Sequence, residues 1–345
     1  MTRVLVAILV LAPLLSAQQP AAVEPCDLLR SGALQQSAQD ALAKKDYTAA
    51  AGAFQDAFRA CHMLHSVLLE AARASLAARD FPAAIQSVRQ FLDLEPGSVD
   101  GKLEMANACF MARRLPEALQ WADSALKTDP AQAAALKLKA NVNYLMGRTD
   151  EAINTFILLL DRHPDDADGA YMLGRIYYQE GRIDYAIGQF QRVLRLDPKS
   201  YKAYDNLGLC YQANGNNDLA IRYFLTAIKL VEKDHPDYDW AYANLASLLI
   251  DKGDAQKAYD AAAMAAGRNP NSARNFYLGG KALCKLGKTD LCLNWLQRSV
   301  ALDPNYPEPL YLLARVYSQM GQEDKAKEAL DKFRALKATA PRQRK

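Results

Sequence analysis

Histidine is scarce in this chain: only four occur in 345 residues, His62, His65, His163 and His235. Cys61, His62 and His65 lie close together, but no second ligand pair follows at a zinc-like spacing, so no metal site is expected. Also missing are a Gly-rich phosphate loop, a C-x-x-C-H haem signature and a G-x-S-x-G elbow. Asp165, Asp166 and Asp218 stand beside Pro164 and Gly215, where turns and helix starts need such residues, rather than as an acid and base pair. Neither an enzyme nor a cofactor is therefore expected. A charge excess of one sign is lacking too, since 42 Lys and Arg face 39 Asp and Glu for a formal net charge of +3. That balance gives no reason to expect nucleic acid as a partner.

Long apolar runs are absent after the N-terminus. The one that exists, Val4 to Leu15, falls short of the roughly 20 residues a membrane-spanning helix needs. Arg3 precedes it, Ser16 and Ala17 supply small residues for cleavage, and Gln18-Gln19-Pro20 ends it. Residues 1–17 therefore read as a signal peptide, with an uncleaved anchor as the alternative. Lipid attachment does not fit, because Gln18 follows Ala17 and the first cysteine, Cys26, comes too late. The expectation is an exported protein, periplasmic or secreted, in an oxidising compartment, with no transmembrane span once the signal is removed.

Half of the residues are hydrophobic, and they recur with a period. In residues 167–200, Leu173, Gly174 and Tyr177 share one side of a helix, and Ala186, Phe190 and Val193 share one side of a second. Gly181 marks the turn between them and Pro198 ends the pair. The small residues repeat every 34 positions in the first helices, as Ala38, Ala72, Ala106, Ala140, Gly174 and Gly208. Those of the second helices are Ala50, Ala84, Ala118, Ala152, Ala186 and Ala220, with Phe54, Phe156, Phe190 and Phe224 as bulky partners.

Leu173, Gly174, Tyr177, Ala186, Phe190 and Pro198 together resemble the tetratricopeptide repeat, a 34-residue helix-turn-helix unit. The early tryptophan of that signature is replaced by Ala170. The resemblance implies an all-α fold, a right-handed superhelical solenoid of antiparallel helix pairs. A lead over 18–30 precedes nine repeats at 31–64, 65–98, 99–132, 133–166, 167–200, 201–238, 239–272, 273–306 and 307–338, and a basic tail fills 339–345. The sixth window carries four added residues near Leu230 to Tyr238, since Ala246 follows Gly208 by 38 positions. An extra helical turn or a longer loop is expected there, either as a tolerated surface insertion or as a bend or contact point. The charged last helix, from Glu323 to Arg334, reads as a solubilising cap.

The resemblance also implies that first helices line a concave groove with their second, fifth, ninth and twelfth window positions. These positions hold Phe110, Tyr144, Tyr171, Tyr178, Tyr277 and Tyr311. They also hold the cations Arg73, Lys137, Arg175, Lys202, Arg274, Lys281 and Arg315, against the acids Asp100, Asp168, Asp205 and Glu308. Such a surface suits an extended peptide with acidic groups, unless the tyrosines are spent on packing between helices. The family's clamp for a C-terminal carboxylate is incomplete: Lys137, Asn141 and Lys202 fall at matching places, but Met172 and Asn206 replace the middle Asn and the last Arg.

Of the six cysteines, Cys109 and Cys210 lie on apolar faces. Cys26 with Cys61, and Cys284 with Cys292, are the pairs that could be bridged in an oxidising compartment. The expected function is a non-catalytic protein-protein interaction scaffold of the cell envelope or periplasm, binding an extended peptide or helix in its groove. The alternative is an accessory protein binding acidic polysaccharide during envelope or exopolysaccharide assembly. Neither reading fixes the oligomeric state.

Overall fold

A computed structural model describes residues 26–339. The expected signal peptide, most of the lead and the last six residues of the tail lie outside them. The described residues form eighteen α-helices and no strand. Two compact units divide the chain after Pro130.

Unit 1 contains three antiparallel pairs, α1 (Leu28–Ala43) with α2 (Tyr47–Ala60), α3 (Val67–Ala77) with α4 (Phe81–Leu94), and α5 (Val99–Met111) with α6 (Leu115–Thr128). Unit 2 contains six. They are α7 (Ala133–Leu145) with α8 (Thr149–Arg162), α9 (Ala167–Gln179) with α10 (Ile183–Leu196), and α11 (Tyr201–Ala213) with α12 (Asn217–Asp234). Next come α13 (Trp240–Lys252) with α14 (Ala255–Arg268), α15 (Ala273–Lys285) with α16 (Thr289–Leu302), and α17 (Pro307–Gln319) with α18 (Glu323–Thr339).

Where the second helix carries a large residue, a small one on the first helix admits it. A Cβ added to Gly174 would sit 2.9 Å from Phe190 Cε1, and one added to Gly208 would sit 2.5 Å from Phe224 Cδ1. Phe190, Phe224, Ala186 and Ala220 have no exposed surface. Burial of a phenylalanine ring contributes about 1.5 to 3 kcal/mol, so Phe54, Phe156, Phe190 and Phe224 are the main apolar anchors of their four pairs.

The turn inside each pair needs one residue in the left-handed region. Unit 2 places glycine there, Gly147, Gly181, Gly215, Gly253, Gly287 and Gly321, with φ between 70° and 85°. Unit 1 uses Lys45, Arg79 and Arg113 at φ of 60° to 61°. Its second helices α2 and α4 start on aspartate caps, where Asp46 and Asp80 accept from the amides of Ala49 and Ala83.

The four added residues appear as helix. α12 runs 18 residues where α10 and α14 run 14, an extension of roughly 6 Å, or one turn. His235 caps the longer helix, and the chain then turns at Pro236 to deliver Tyr238 and Trp240 to the start of α13. The last helix buries only Ala326 and Ala329, leaving its charged face exposed as a terminal helix requires.

Cys26 is bridged to Cys61, tying the start of α1 to the end of α2, and Cys284 is bridged to Cys292 across the α15–α16 turn. Cys109 and Cys210 are buried free thiols. Burial pushes the Cys210 thiol up to about 12, so it behaves as an apolar filler. No helix among the described residues is long and apolar enough to cross a membrane.

Candidate functional site

The first helices α9, α11 and α13 of unit 2 bring a polar and aromatic cluster to one cavity of about 470 Å³. Arg175 and Tyr178 come from α9, Lys202, Asn206 and Leu209 from α11, and Trp240 from α13. The spacing of three to four residues along α9 and α11 sets these side chains on the same face of each helix. Trp240 is 57% exposed, a large apolar ring left at the cavity wall.

Beneath these residues lies a buried polar network. Asp205 is only 3% exposed, and each of its oxygens accepts from a different side chain. The Tyr238 hydroxyl donates to Oδ2 at 2.7 Å, and Asn244 Nδ2 donates to Oδ1 at 2.9 Å. Arg274 in turn donates to Asn244 Oδ1 at 2.8 Å, so the guanidinium charge reaches the carboxylate through one amide. Desolvation raises the pKa of Asp205 despite the hydrogen bonds from Tyr238 and Asn244, and desolvation lowers that of Arg274. Tyr238 also packs edge-on against Tyr201, with ring centroids 4.7 Å apart. The added turn thus ends in a contact point inside the site.

The candidate cations separate by what they touch. Arg73 is held by Glu70 at 2.7 Å and Glu104 at 2.6 Å, and Lys137 pairs with Asp166 at 3.0 Å. Asp166 also accepts from the Gly169 amide, so Lys137 supports the start of α9. Both expected groove cations thus have carboxylate partners within the protein. Arg274 and Asp205 are likewise members of the buried network rather than surface groups. Arg175 and Lys202 are exposed and have no carboxylate within ion-pairing distance among the described residues. Further along unit 2, Lys281 rests over the Tyr277 ring at 5.9 Å, and Arg315 is exposed on α17.

Most of the candidate aromatics are spent on packing. Tyr171 lies edge-on to Phe190 with centroids 5.7 Å apart, and its hydroxyl accepts from Asn206 Nδ2 at 3.1 Å. Tyr144 donates to Gln179, Tyr277 meets Tyr306, and Tyr311 meets Phe333 of the last helix. Tyr178 is half-buried, and desolvation raises its pKa. Phe110 and Asn141 are half-buried, Phe110 within unit 1.

Two site residues, Tyr238 and Asn244, fall outside the positional expectation. Trp240 occupies the second position of window 239–272, so the positional rule does reach it. Tyr238 and Asn244 do not stand at such positions; they join the site because the added turn shifts the entry into α13. The four-residue break in phase was the only sequence signal for them.

Family profiles described as tetratricopeptide repeat match residues 69–133, 138–201, 200–266 and 310–336, and one described as TPR repeat matches 280–321. No curated protein matches the chain. Among solved structures, a tetratricopeptide repeat protein from Parabacteroides merdae is 20% identical with a TM-score of 0.58, over 73% of this chain and 98% of that one. PilF of Pseudomonas aeruginosa is 19% identical with a TM-score of 0.54, over 63% and 97%. The Cut9-Hcn1 hetero-tetramer of the APC/C gives 17% identity and a TM-score of 0.58, over 82% and 55%. At these identities the likeness concerns the fold alone.

Proposed function

Because the chain belongs to the tetratricopeptide repeat family, whose helix-pair arrays serve as protein-interaction scaffolds, we propose that it is a non-catalytic scaffold that seats an extended segment of a partner along α9, α11 and α13. One observation carries this reading. Arg175 and Lys202, without internal carboxylate partners among the described residues, share a cavity with the exposed ring of Trp240. Exposed aromatic area next to unneutralised cations is the composition of a binding hot spot, because both gain on being covered.

We place the protein in the cell envelope or periplasm. The apolar run of residues 4–15 and the two disulfides support that compartment, since cytosolic thiols are kept reduced. The acidic-polysaccharide alternative would call for several flat rings presented in a row. Tyr171 and Tyr277 instead meet other rings, which favours a peptide.

Affinity capture from an envelope fraction tests the proposal, with the Arg175→Ala and Tyr178→Ala double variant beside the wild-type protein. A protein captured by the wild type and lost by the variant supports it. A captured set that the double substitution leaves unchanged removes the site from the function.

A further inference from the structure

Building on that scaffold reading, we propose that the α9–α13 cavity selects an internal acidic side chain together with an apolar side chain about three residues away, rather than a chain-terminal carboxylate.

Asp205 is the one acid in the cavity wall, and it is unable to neutralise Arg175 or Lys202. Both of its oxygens are occupied, by Tyr238 and Asn244, and it lies beneath the surface. The two cations therefore present net positive charge, which a carboxylate arriving on a flexible side chain can reach from the open side.

The asparagine amides of the cavity disfavour a terminal carboxylate. Of the side-chain amides in the cavity wall, those of Asn206 and Asn244 are already committed, while Gln179 is tied through its oxygen to the Tyr144 hydroxyl. Asn206 Nδ2 donates to the Tyr171 hydroxyl at 3.1 Å and to the Lys202 carbonyl at 2.8 Å. Asn244 Nδ2 donates to Asp205. Met172 offers only a thioether to the neighbouring Arg175. The cavity also sits in the middle of unit 2, with α7 on one side in sequence and α15 and α17 on the other, so a segment can continue past it in both directions.

Spacing follows from geometry. Packed helices lie roughly 8 to 10 Å apart and an extended chain advances about 3.3 to 3.6 Å per residue. A carboxylate at Lys202 on α11 and an apolar group at Trp240 on α13 are then about three residues apart. Trp240 and Leu209 supply the apolar contact, and the Arg274 guanidinium, 5.6 Å from the Trp240 ring centroid, braces the indole from within.

The test uses the full chain and end-blocked ten-residue Gly/Ser peptides carrying one Glu and one Phe three positions apart, in both orders. Companion peptides carry Gln for Glu, Ala for Phe, or no Glu but a free C-terminal carboxylate. Fluorescence anisotropy should give the Glu and Phe peptide in one order an affinity about tenfold or more above the Gln and Ala versions. Lys202→Gln and Trp240→Ala should each remove that preference while leaving the unfolding midpoint near wild type, since both side chains are exposed. Equal binding of the Gln peptide, or preference for the free carboxylate, overturns the inference. If no peptide binds while the Arg175 and Tyr178 pair still controls capture of a partner, the inference falls and the scaffold reading stands. Failure of capture as well removes both.

Discussion

Gly174, Gly208 and Ala186 set how near two helices can come, so their energetic weight lies in the atoms they omit. Ala186 has no exposed surface, and Ala186→Leu should lower stability by about 1 to 3 kcal/mol through overpacking. Urea unfolding reads this directly, and an unchanged midpoint would contradict the packing described. Asp205 makes a different prediction. Its pKa is raised in the folded protein, so the fold favours the neutral acid, and that contribution is full below the unfolded value and lost as pH rises through the folded one. Relative to Asp205→Asn, the wild type should therefore gain stability as pH falls from neutrality toward about 4, the ordinary aspartate range. A difference between the two proteins that stays flat with pH would refute the burial argument. The contrast between these residues explains what could be read in advance. Ala186 stands in fixed phase with alanines of five other windows and Phe190 with phenylalanines of three, so their burial follows from period alone. Asp205 also stands in phase, at a nominal groove position, but its surroundings come from Tyr238 and Asn244, which the period does not place. Pairing of Arg73 with Glu104 likewise depends on a contact between neighbouring repeats that no single window contains, and that of Lys137 with Asp166 joins the two ends of one window.

The helix turns repeat one backbone device with two chemistries. Gly181 occupies φ 70° without a Cβ, and Gly181→Ala should cost about 1 kcal/mol. Arg113 occupies φ 61° with one, so Arg113→Gly should relieve strain of roughly 1 to 2 kcal/mol, less the 0.4 to 1 kcal/mol of added freedom in the unfolded chain. Thermal unfolding of the two variants should move in opposite directions; a shared direction would mean that local packing, not φ, governs the turns. α12 shows the same dependence on local geometry at greater length. Its additional turn was legible as four extra residues near Leu230 to Tyr238, and both of the expected forms, helix or loop, were compatible with them. Helix won because Val231 continues the buried stripe of Ala220, Phe224 and Ala227, leaving the extra residues an apolar face to follow.

Across the molecule, the proposed site belongs wholly to unit 2. A fragment of residues 131–345 should therefore retain whatever peptide preference the full chain has, measured by the same anisotropy titration; its loss on truncation would show that unit 1 contributes to recognition. The disulfides divide between the units. On the loop-entropy estimate, the bridge between Cys26 and Cys61, 35 residues apart, stabilises by about 4 kcal/mol, and that between Cys284 and Cys292, eight apart, by about 2 to 3 kcal/mol. Cys61→Ser should accordingly lower stability more than Cys292→Ser in a non-reducing melt, provided Cys26 and Cys284 are replaced with their partners.

The extended α12 has a consequence for how such a chain can change length. Four residues at 3.6 per turn rotate the helix by about 400°, slightly more than one full revolution, so everything downstream meets its neighbours on nearly the same face. Two residues would swing the helix through about 200° and present its charged side to the core. The second helices thus have a reading frame of their own, in which whole turns are permitted and half turns are errors.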